Sequence, residues 1–322
     1  MTSERQYAPV LIPTLCRFEH FKRCIESLAA CTGSQYTDVF IGLDYPAKEA
    51  HREGYEKIKQ YLESCGNLGF KTLNVIQRPH NYGFGPNGNA FSLRREVYKK
   101  YDTIIVSEDD NEFAPCFLDF MNQALTKYRD DERVRTVGAY LPPIMKQSNE
   151  VSNVLFTYST SAWGMGIWKH KEGAIDEFDY KEVISNKRKS WKLFRAVPGC
   201  WVMLYRMLRA GKNFGDVKRE TYNCINHTFQ VRSSKSLVRN WGNDGSGTNC
   251  VDDNKRFIDT QLLQSTQYGT LDNVEVTLST SHSQIFFQNL PPRNTLHCWL
   301  VLAKYFAIFL KSLTSNTTTS HK

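Results

Sequence analysis

Residues 8–140 alternate between short apolar or β-branched runs and longer segments in which apolar residues recur at helical spacing. Residues 18–30, for example, place Phe21, Ile25 and Leu28 on one face of a helix. Strands that alternate with helices favour a mainly parallel sheet covered on both faces. We therefore expect an α/β fold. The predicted strands are 10–12, 39–43, 71–76 and 103–107, and the predicted helices are 18–30, 47–65 and a segment from about 89 to 100.

Polar residues follow each of these strands. In parallel sheets, ligands bind outside the carboxyl ends of the strands, so these positions are candidates for a ligand site. Each residue alone could be a cap or a turn residue, but four such groups along one sheet edge favour a binding site. They are Thr14 and Arg17 after the first strand, Asp44 after the second, 81–89 after the third, and Glu108, Asp109 and Asp110 after the fourth.

The acidic triplet Glu108-Asp109-Asp110 directly follows the apolar strand. Adjacent carboxylates at a buried strand end repel one another and lose solvation, so they need compensating positive charge. Mn²⁺ or Mg²⁺ can supply it, because these ions combine a few carboxylate oxygens with phosphate oxygens and water. The triplet therefore predicts a divalent-metal site that grips a diphosphate. The alternative is an exposed acidic turn.

Gly83, Gly85 and Gly88 match the pattern G-x-G-x-x-G, and Glu108 lies 20 residues beyond the last glycine. This is the fingerprint of a dinucleotide site, which makes an NAD-dependent oxidoreductase an alternative. Two features oppose it. Residues 77–82 separate the strand from Gly83, whereas the fingerprint glycine follows its strand directly, and a ribose-binding acid is normally a single carboxylate.

The positive charge of the chain lies in its second half. The formal net charge is +8, and residues 169–239 hold 16 Lys and Arg against 7 Asp and Glu. Such a region attracts phosphate groups or anionic lipids. We expect no nucleic acid as a partner.

Residues 296–313 form one long apolar stretch, in which His297, Lys304 and Lys311 recur every seven residues. On a helix these three residues form a narrow polar stripe, and a charge near the centre opposes a membrane-spanning helix. We expect an amphipathic helix that either lies on a membrane or closes the core. The polar tail after Ser312 is predicted to be disordered.

The cysteines and the first residues bear on location. The nine cysteines are odd in number and form no C-x-x-C pair, which is typical of a reducing compartment. The polar residues before Tyr7 give no indication of a signal peptide. We expect a cytoplasmic protein, with peripheral attachment at the inner face of the membrane if the C-terminal helix binds lipid.

Several segments resemble a known family. The sequences PVLIPTLCRFEHFKRCIESL (9–28), VFIGLD (39–44), the N-x-G…N loop and IIVSEDD (104–110) resemble the nucleotide-binding half of GT-A-fold glycosyltransferases of the family-2 type. EDDNEFAPCFLDFM (108–121) is also similar to the metal-binding segment of N-acetylglucosaminyltransferase I enzymes. SAWGMGIW, NFGDVKRETYNCI and SLVRNWGNDGSGTNC resemble, in that order, segments of bacterial transferases that build surface polysaccharides. The resemblance covers about residues 8–250 and implies a GT-A-like fold with a Rossmann-like nucleotide-binding sheet.

The resemblance also implies a role for each residue of the motifs. One group borders the nucleotide-sugar donor: Thr14 and Arg17 by the nucleotide, Asp44 at the base or ribose, and Asn81, Gly83 and Asn89 around the donor. In the metal group, Asp110 is the direct ligand, and Glu108 and Asp109 support it. The chain departs from the family pattern at Gly88, where an arginine is usual, and at Asn249, where a histidine is frequent.

On the acceptor side, an inverting transferase needs a carboxylate that takes the proton of the attacking hydroxyl. The resemblance places this general base at Asp216, for which a helix N-cap is the alternative role. The competing bases are Asp176, Glu177 and Asp179. Trp163 and Trp168, which flank a glycine pair, are expected to stack on sugar faces or else to pack a loop.

The predicted organisation is a donor-binding half at 1–140, an acceptor-binding and catalytic half at 141–290, and a helix and tail at 291–322. The predicted function is metal-dependent transfer of a hexose or N-acetylhexosamine, with inversion, from a nucleoside diphosphate, UDP being favoured. The acceptor is a carbohydrate or a lipid-linked saccharide. The alternatives left open are a sugar nucleotidyltransferase and a non-enzymatic sugar-binding domain, besides the oxidoreductase.

Overall fold

A computed structural model describes residues 7–142, 152–245, 260–279 and 295–315. The strands in these ranges are β1 (Val10–Thr14), β2 (Asp38–Leu43), β3 (Thr72–Gln77), β4 (Thr103–Val106), β5 (Asn111–Phe113), β6 (Val134–Gly138), β7 (Val154–Thr157), β8 (Met165–Trp168), β9 (Phe229–Ser233) and β10 (Val238–Asn240). The α-helices are α1 (Phe18–Ala29), α2 (Arg52–Ser64), α3 (Asn89–Val97), α4 (Phe117–Lys127), α5 (Lys169–Asp176), α6 (Tyr180–Ser185), α7 (Lys187–Ala196), α8 (Pro198–Arg209), α9 (Gly215–Asn226) and α10 (Thr295–Ser315).

Eight strands form one sheet in the order β3-β2-β1-β4-β8-β6-β9-β7, and β5 pairs with β10 in a separate ribbon. The prediction of an α/β fold is confirmed. Strands β1 to β4 are parallel, as expected from the helices between them. Strand β8 instead runs antiparallel to both of its neighbours, β4 and β6. The chain enters β8 from the loop 158–164 rather than from a crossover helix, which a parallel neighbour would need.

Strand β1 lies at the centre of the parallel half and is buried on both faces. Leu11 packs in a cluster with Leu93 of α3, whereas Val10 and Ile12 belong to the main core with Phe21 of α1. Successive side chains of a strand point to opposite faces, so α3 covers one face of the sheet and α1 the other. This explains why the sequence of β1 is a continuous apolar run.

The parallel strands place the polar residues that follow them at one edge of the sheet. Thr14 pairs in register with Leu43, and Ser107 donates its backbone N–H to the carbonyl of Leu11. Asp44 and the acidic triplet therefore begin at the same level. The sheet continues across residue 140, the predicted boundary between the halves, through β6, β8 and β9.

Helix α10 packs against α7 and α8 through its aromatic residues. The ring of Phe309 lies 4.6 Å from that of Phe194 and 4.9 Å from that of Trp201, measured between centroids. Among the described residues, no helix is long and apolar enough to cross a membrane. One face of the predicted amphipathic helix thus closes this part of the core. Asn249 and the tail beyond residue 315 lie outside the described residues.

Candidate active site

A cavity of about 600 Å³ opens at the carboxyl edge of the parallel strands. Its walls come from the ends of β1, β2 and β4, the loop after β3, the start of α3 and the first turn of α9. Most of the predicted site residues lie around this one cavity. They are Thr14, Arg17, Asp44, Asn81, Gly83, Asn89, Glu108, Asp109, Asp110 and Asp216. That these residues bind a ligand stays a prediction.

The acidic triplet is joined to the start of α1 by Arg17. Its guanidinium contacts a carboxylate oxygen of Asp109 and lies 2.8 Å from Oδ2 of Asp110. The hydroxyl of Thr14 donates to the other oxygen of Asp109 at 2.8 Å. Both aspartates are buried. Arg17, expected beside the nucleotide, therefore supplies part of the positive charge that the triplet needs.

Asp110 is also held by the ribbon of β5 and β10. The Asn240 side-chain amide donates to Oδ1 of Asp110 at 2.6 Å, and the Trp241 backbone N–H donates to its carbonyl at 2.8 Å. A Cβ built on Gly242 would lie 2.0 Å from Oδ2 of Asp110. Only glycine therefore lets the backbone approach this carboxylate so closely. Sequence segments 130 residues apart meet at this point.

Glu108 is the least compensated of the three carboxylates. Its Oε2 accepts a hydrogen bond from the indole N–H of Trp163 at 2.9 Å. Burial and then the charge of Asp110 raise the pKa of Glu108 to about 8, although the Trp163 hydrogen bond opposes this shift. Desolvation and the neighbouring negative charge thus both favour the protonated form of Glu108.

This charge balance fits a hard divalent cation. When all three carboxylates are ionised, they and the one guanidinium leave two negative charges, and the available donors are carboxylate oxygens. Within the described ranges, no three His, Cys, Asp or Glu side chains are grouped so as to hold a metal by themselves. Among the described residues, Asp110 and its neighbour Glu108 could each offer a carboxylate oxygen to such a cation, and phosphate oxygens and water would complete the coordination.

Asp44 holds the loop after β3. Its Oδ1 accepts the backbone N–H of Tyr45 at 2.9 Å and that of Tyr82 at 2.8 Å, and its Oδ2 accepts the backbone N–H of Gly83 at 2.9 Å. The Asn81 amide donates to the Tyr45 carbonyl at 2.6 Å. In this structure Asp44 shapes the cavity wall, and its predicted contact with a base or ribose would be made in addition to these bonds.

Asn89 also holds parts of the cavity wall together. Its amide donates to the carbonyl of Gly42 at 2.6 Å, and its oxygen accepts from Nε of Arg78 at 2.9 Å. Asn89 is buried, so its main contribution is to tie the start of α3 to β2. A direct contact with the donor stays a prediction.

The glycine loop is closed on itself. The backbone N–H of Gly88 donates to the carbonyl of Gly85, and that of Asn89 donates to the carbonyl of Gly83. The backbone N–H of Gly83 donates to the carboxylate of Asp44. Gly83 and Gly85 adopt φ values of 60° and 92°, which glycine tolerates best. A dinucleotide site uses such amides to bind a pyrophosphate. Since these three backbone amides already donate hydrogen bonds within the protein, the geometry does not favour the oxidoreductase alternative.

Asp216 lines the same cavity as the triplet. It is the second residue of α9, and the N-cap position belongs to Phe214, so the N-cap interpretation of Asp216 is wrong. Its side chain is exposed and lines the cavity. Desolvation by the protein around the cavity still raises the pKa of Asp216, and the charge of Arg219 opposes the shift. The competing bases are Asp176, Glu177 and Asp179. All three are exposed, and none of them lines the cavity.

The two predicted tryptophans have different surroundings. Trp168 is only 1% exposed, and its indole N–H donates to the carbonyl of Leu125 at 3.1 Å. The prediction that Trp168 stacks on a sugar is therefore wrong, because β8 is an internal strand and this side chain points into the core. Trp163 is half-buried and packs edge-on against Tyr140. Its contact with the site is the hydrogen bond to Glu108.

Several residues of the cavity wall were not predicted from the sequence. Arg94 and Arg219 both donate to Glu172, and Nη2 of Arg219 lies 2.9 and 2.8 Å from its two oxygens. Arg219 follows Asp216 by three residues, so helical spacing could have indicated it. Arg94 and Glu172 are far apart in sequence and gave no such signal. Phe84 and Phe91 also line the cavity and offer the aromatic faces that Trp168 does not.

No protein-family model matches the sequence, and no curated protein matches it. Solved structures with a similar fold include a mannosyltransferase, PcManGT from Pyrobaculum calidifontis, in complex with GDP-Man and Mn²⁺. It has a TM-score of 0.40 and 12% identity, and the match covers 68% of each chain. Residues 1–349 of TarS from S. aureus give a TM-score of 0.35 and 14% identity over 53% of this chain and 50% of that chain.

GalNAc-T7 with UDP, GalNAc and Mn²⁺ gives a TM-score of 0.42 and 11% identity, over 74% of this chain and 44% of that chain. The match thus spans about half the length of the TarS fragment and less than half of GalNAc-T7. Similarity at this level concerns the arrangement of sheet and helices. It does not indicate which sugar, metal or acceptor this chain uses, and the resemblance to family-2-type transferases stays a prediction.

Proposed function

We propose that the protein is a metal-dependent glycosyltransferase that moves a sugar from a nucleoside diphosphate, UDP being favoured, to a carbohydrate hydroxyl with inversion. The observation that carries the proposal is that two groups of carboxylates, from distant parts of the chain, line one cavity. The triplet with Asp110 ends a parallel strand, and Asp216 opens α9. A donor and an acceptor could meet between them.

The donor side supports binding of a diphosphate. Asp110 and Glu108 would hold a divalent cation, which stabilises the negative charge that develops on the departing diphosphate. Arg17 stays beside the carboxylates and limits their repulsion. Asp44 and Asn81 fix the loop that forms the adjacent wall. Together these residues would position the donor before the acceptor arrives.

On the acceptor side, Asp216 would accept the proton of the attacking hydroxyl. A general base is most effective when its pKa lies near the working pH, and desolvation shifts the pKa of Asp216 upward, in that direction. Arg219 lies one turn further along α9 and donates two hydrogen bonds to Glu172. Its positive charge favours the ionised form of the Asp216 carboxylate. Inversion follows if the base and the departing diphosphate lie on opposite sides of the sugar. In the cell, this activity would serve the synthesis of a surface polysaccharide or a glycolipid.

A thermal-shift screen of nucleoside diphosphates and nucleotide sugars, with and without Mn²⁺, tests the proposal. A ligand used at about 100 times its Kd should add about 2.7 kcal/mol to the free energy of unfolding. We expect the stabilisation to require the metal. Binding of NAD but of no nucleoside diphosphate would contradict the proposal and favour the oxidoreductase alternative.

Asp110→Ala then tests the metal site by calorimetry. It should abolish the Mn²⁺-dependent part of nucleotide binding and leave the fold intact. Asp102→Ala is the matched control, because Asp102 is an exposed carboxylate just before the other end of β4. If both variants bind the nucleotide as the parent protein does, Asp110 is not the metal ligand.

A further inference from the structure

The face of α10 that points away from the protein is apolar. Trp299, Leu300, Phe306 and Leu310 are between 42% and 60% exposed. Positions 299, 303, 306 and 310 follow helical spacing, so Ala303 completes a continuous stripe about 16 Å long. An exposed apolar stripe of this length on a surface helix marks an interaction site.

The opposite face of α10 is fixed to the protein. Phe309 is only 4% exposed, and its ring is stacked on Phe194. The hydroxyl of Ser312 donates to the Phe309 carbonyl within the helix. The helix is therefore anchored by one face, and its orientation presents the apolar stripe outward. The covered face agrees with the core alternative of the sequence, and the membrane-surface alternative concerns the exposed face.

Helix α7 continues the exposed apolar surface. Trp191 is 47% exposed, and its ring lies 5.7 Å from that of Phe309. Arg188 and Arg195 lie three residues before and four residues after Trp191, so they share its face of α7, and both are exposed. A basic border thus lies directly beside the aromatic contact between α7 and α10.

The helices of this region carry charge of one sign, although Lys189 of α7 pairs with Glu182 of α6 at 2.6 Å. The sequences of α7, α8 and α10 contain nine Lys and Arg and no Asp or Glu. On α10, Lys304 and Lys311 are seven residues apart and lie next to the apolar stripe, on the side of Leu300. A partner that presents both an apolar layer and negative charge would match the apolar stripe and the basic residues beside it.

We infer that α10 and α7 form a docking surface for an anionic lipid bilayer. An interfacial helix lies in the plane of the membrane with its apolar residues in the acyl boundary and its basic residues at the headgroups. Tryptophans prefer this interfacial level, which suits Trp191 and Trp299. Docking needs neither metal nor nucleotide, so it stands independently of the proposed transfer reaction.

Flotation with vesicles tests the inference directly. The probes are vesicles of phosphatidylcholine alone and vesicles of phosphatidylcholine mixed with phosphatidylglycerol. At low ionic strength we expect the protein to float only with the mixed vesicles. In about 1 M salt, where the Debye length falls to about 3 Å, binding should weaken strongly. Protein that stays at the bottom of the gradient with the mixed vesicles at low salt would overturn the inference.

Two variants separate the apolar and the basic contributions. Leu300→Ser/Leu310→Ser removes exposed apolar groups and should weaken partitioning by about tenfold or more. Arg188→Ser/Arg195→Ser should weaken it by about 25-fold, at roughly fivefold per basic residue near the surface. Lys71→Ser/Lys99→Ser is the matched control, because it removes the same charge from exposed positions on the donor-binding half. Its partitioning should stay within about twofold of the parent protein.

Since the substituted side chains are exposed, all three variants should keep the parent Tm. Equal loss of binding in the lysine control would show that net charge alone drives binding and would overturn the assignment of the surface. The inference is also overturned if sedimentation without lipid shows a dimer that Leu300→Ser/Leu310→Ser dissociates, and the parent protein does not float. The surface would then belong to a second copy of this chain.

Discussion

Glu220 lies one helical turn after Asp216 on α9 and behind the cavity wall, where it is half-buried. Burial and then the charge of Asp216 raise the pKa of Glu220 to about 7, although Arg232 and a hydrogen bond with Cys200 oppose the shift. Its ordinary value is 4.5. Between these two values, the unfolded chain loses the proton while the folded protein keeps it.

Ionisation of Glu220 therefore lowers the free energy of unfolding as the pH rises. Below about pH 4.5 both states hold the proton, and above about pH 7 both have lost it, so the free energy of unfolding falls only within this window. Glu220→Gln removes the titrating group. Between about pH 5 and about pH 8, the variant should gain about 2.5 kcal/mol in the free energy of unfolding relative to the parent protein.

Urea denaturation of both proteins at the two pH values measures this change. Effects of groups that do not interact with Glu220 are common to both proteins and cancel in the difference, and Asp216 cancels to the extent that it stays ionised at both pH values. A constant offset, from the altered contact with Cys200, cancels as well. Glu177→Gln, at an exposed carboxylate outside the cavity, is the control and should show no change with pH. If Glu220→Gln differs from the parent by the same amount at both pH values, the burial argument for Glu220 is wrong.

Two further predictions concern the reaction and the metal site. Asp216→Asn should lower turnover, measured as release of the nucleoside diphosphate in the presence of acceptor, by about 100-fold to 10,000-fold with little change in donor affinity, and near-normal turnover would refute its role as the base. Gly242→Ala forces a Cβ against Asp110 and should weaken Mn²⁺-dependent nucleotide binding, measured by calorimetry, at a cost of about 1–3 kcal/mol in stability. Gly173→Ala, which meets no atom within 4 Å, is its control and should bind as the parent does.

The α/β class and the position of the acidic triplet could be predicted from the sequence because both depend on local patterns. The alternation of apolar runs and amphipathic segments determines which residues form strands and helices. Parallel strands then bring Thr14, Asp44 and Asp110 to one edge without further information. For the same reason, the sequence also predicted that residues 296–313 form a helix with one polar stripe.

The sequence did not determine how distant segments meet. Nothing local shows that Arg17 bridges Asp109 and Asp110, or that Asn240 reaches the triplet across 130 residues. Trp168 was misplaced because a tryptophan beside glycines has the same local pattern in a buried strand and in a sugar site. Burial is a property of the neighbours, and the neighbours of β8 are β4 and β6.

The sequence by itself therefore determined the type and order of the elements, the sheet edge that carries the polar groups, and the presence of an amphipathic helix at the end of the chain. Only the tertiary structure decided which charges are compensated, which carboxylate of the second half lines the same cavity as the triplet, and which face of α10 is covered. The physical reason is that hydrogen bonds, desolvation and packing act over a few ångströms in space, whatever the separation along the chain.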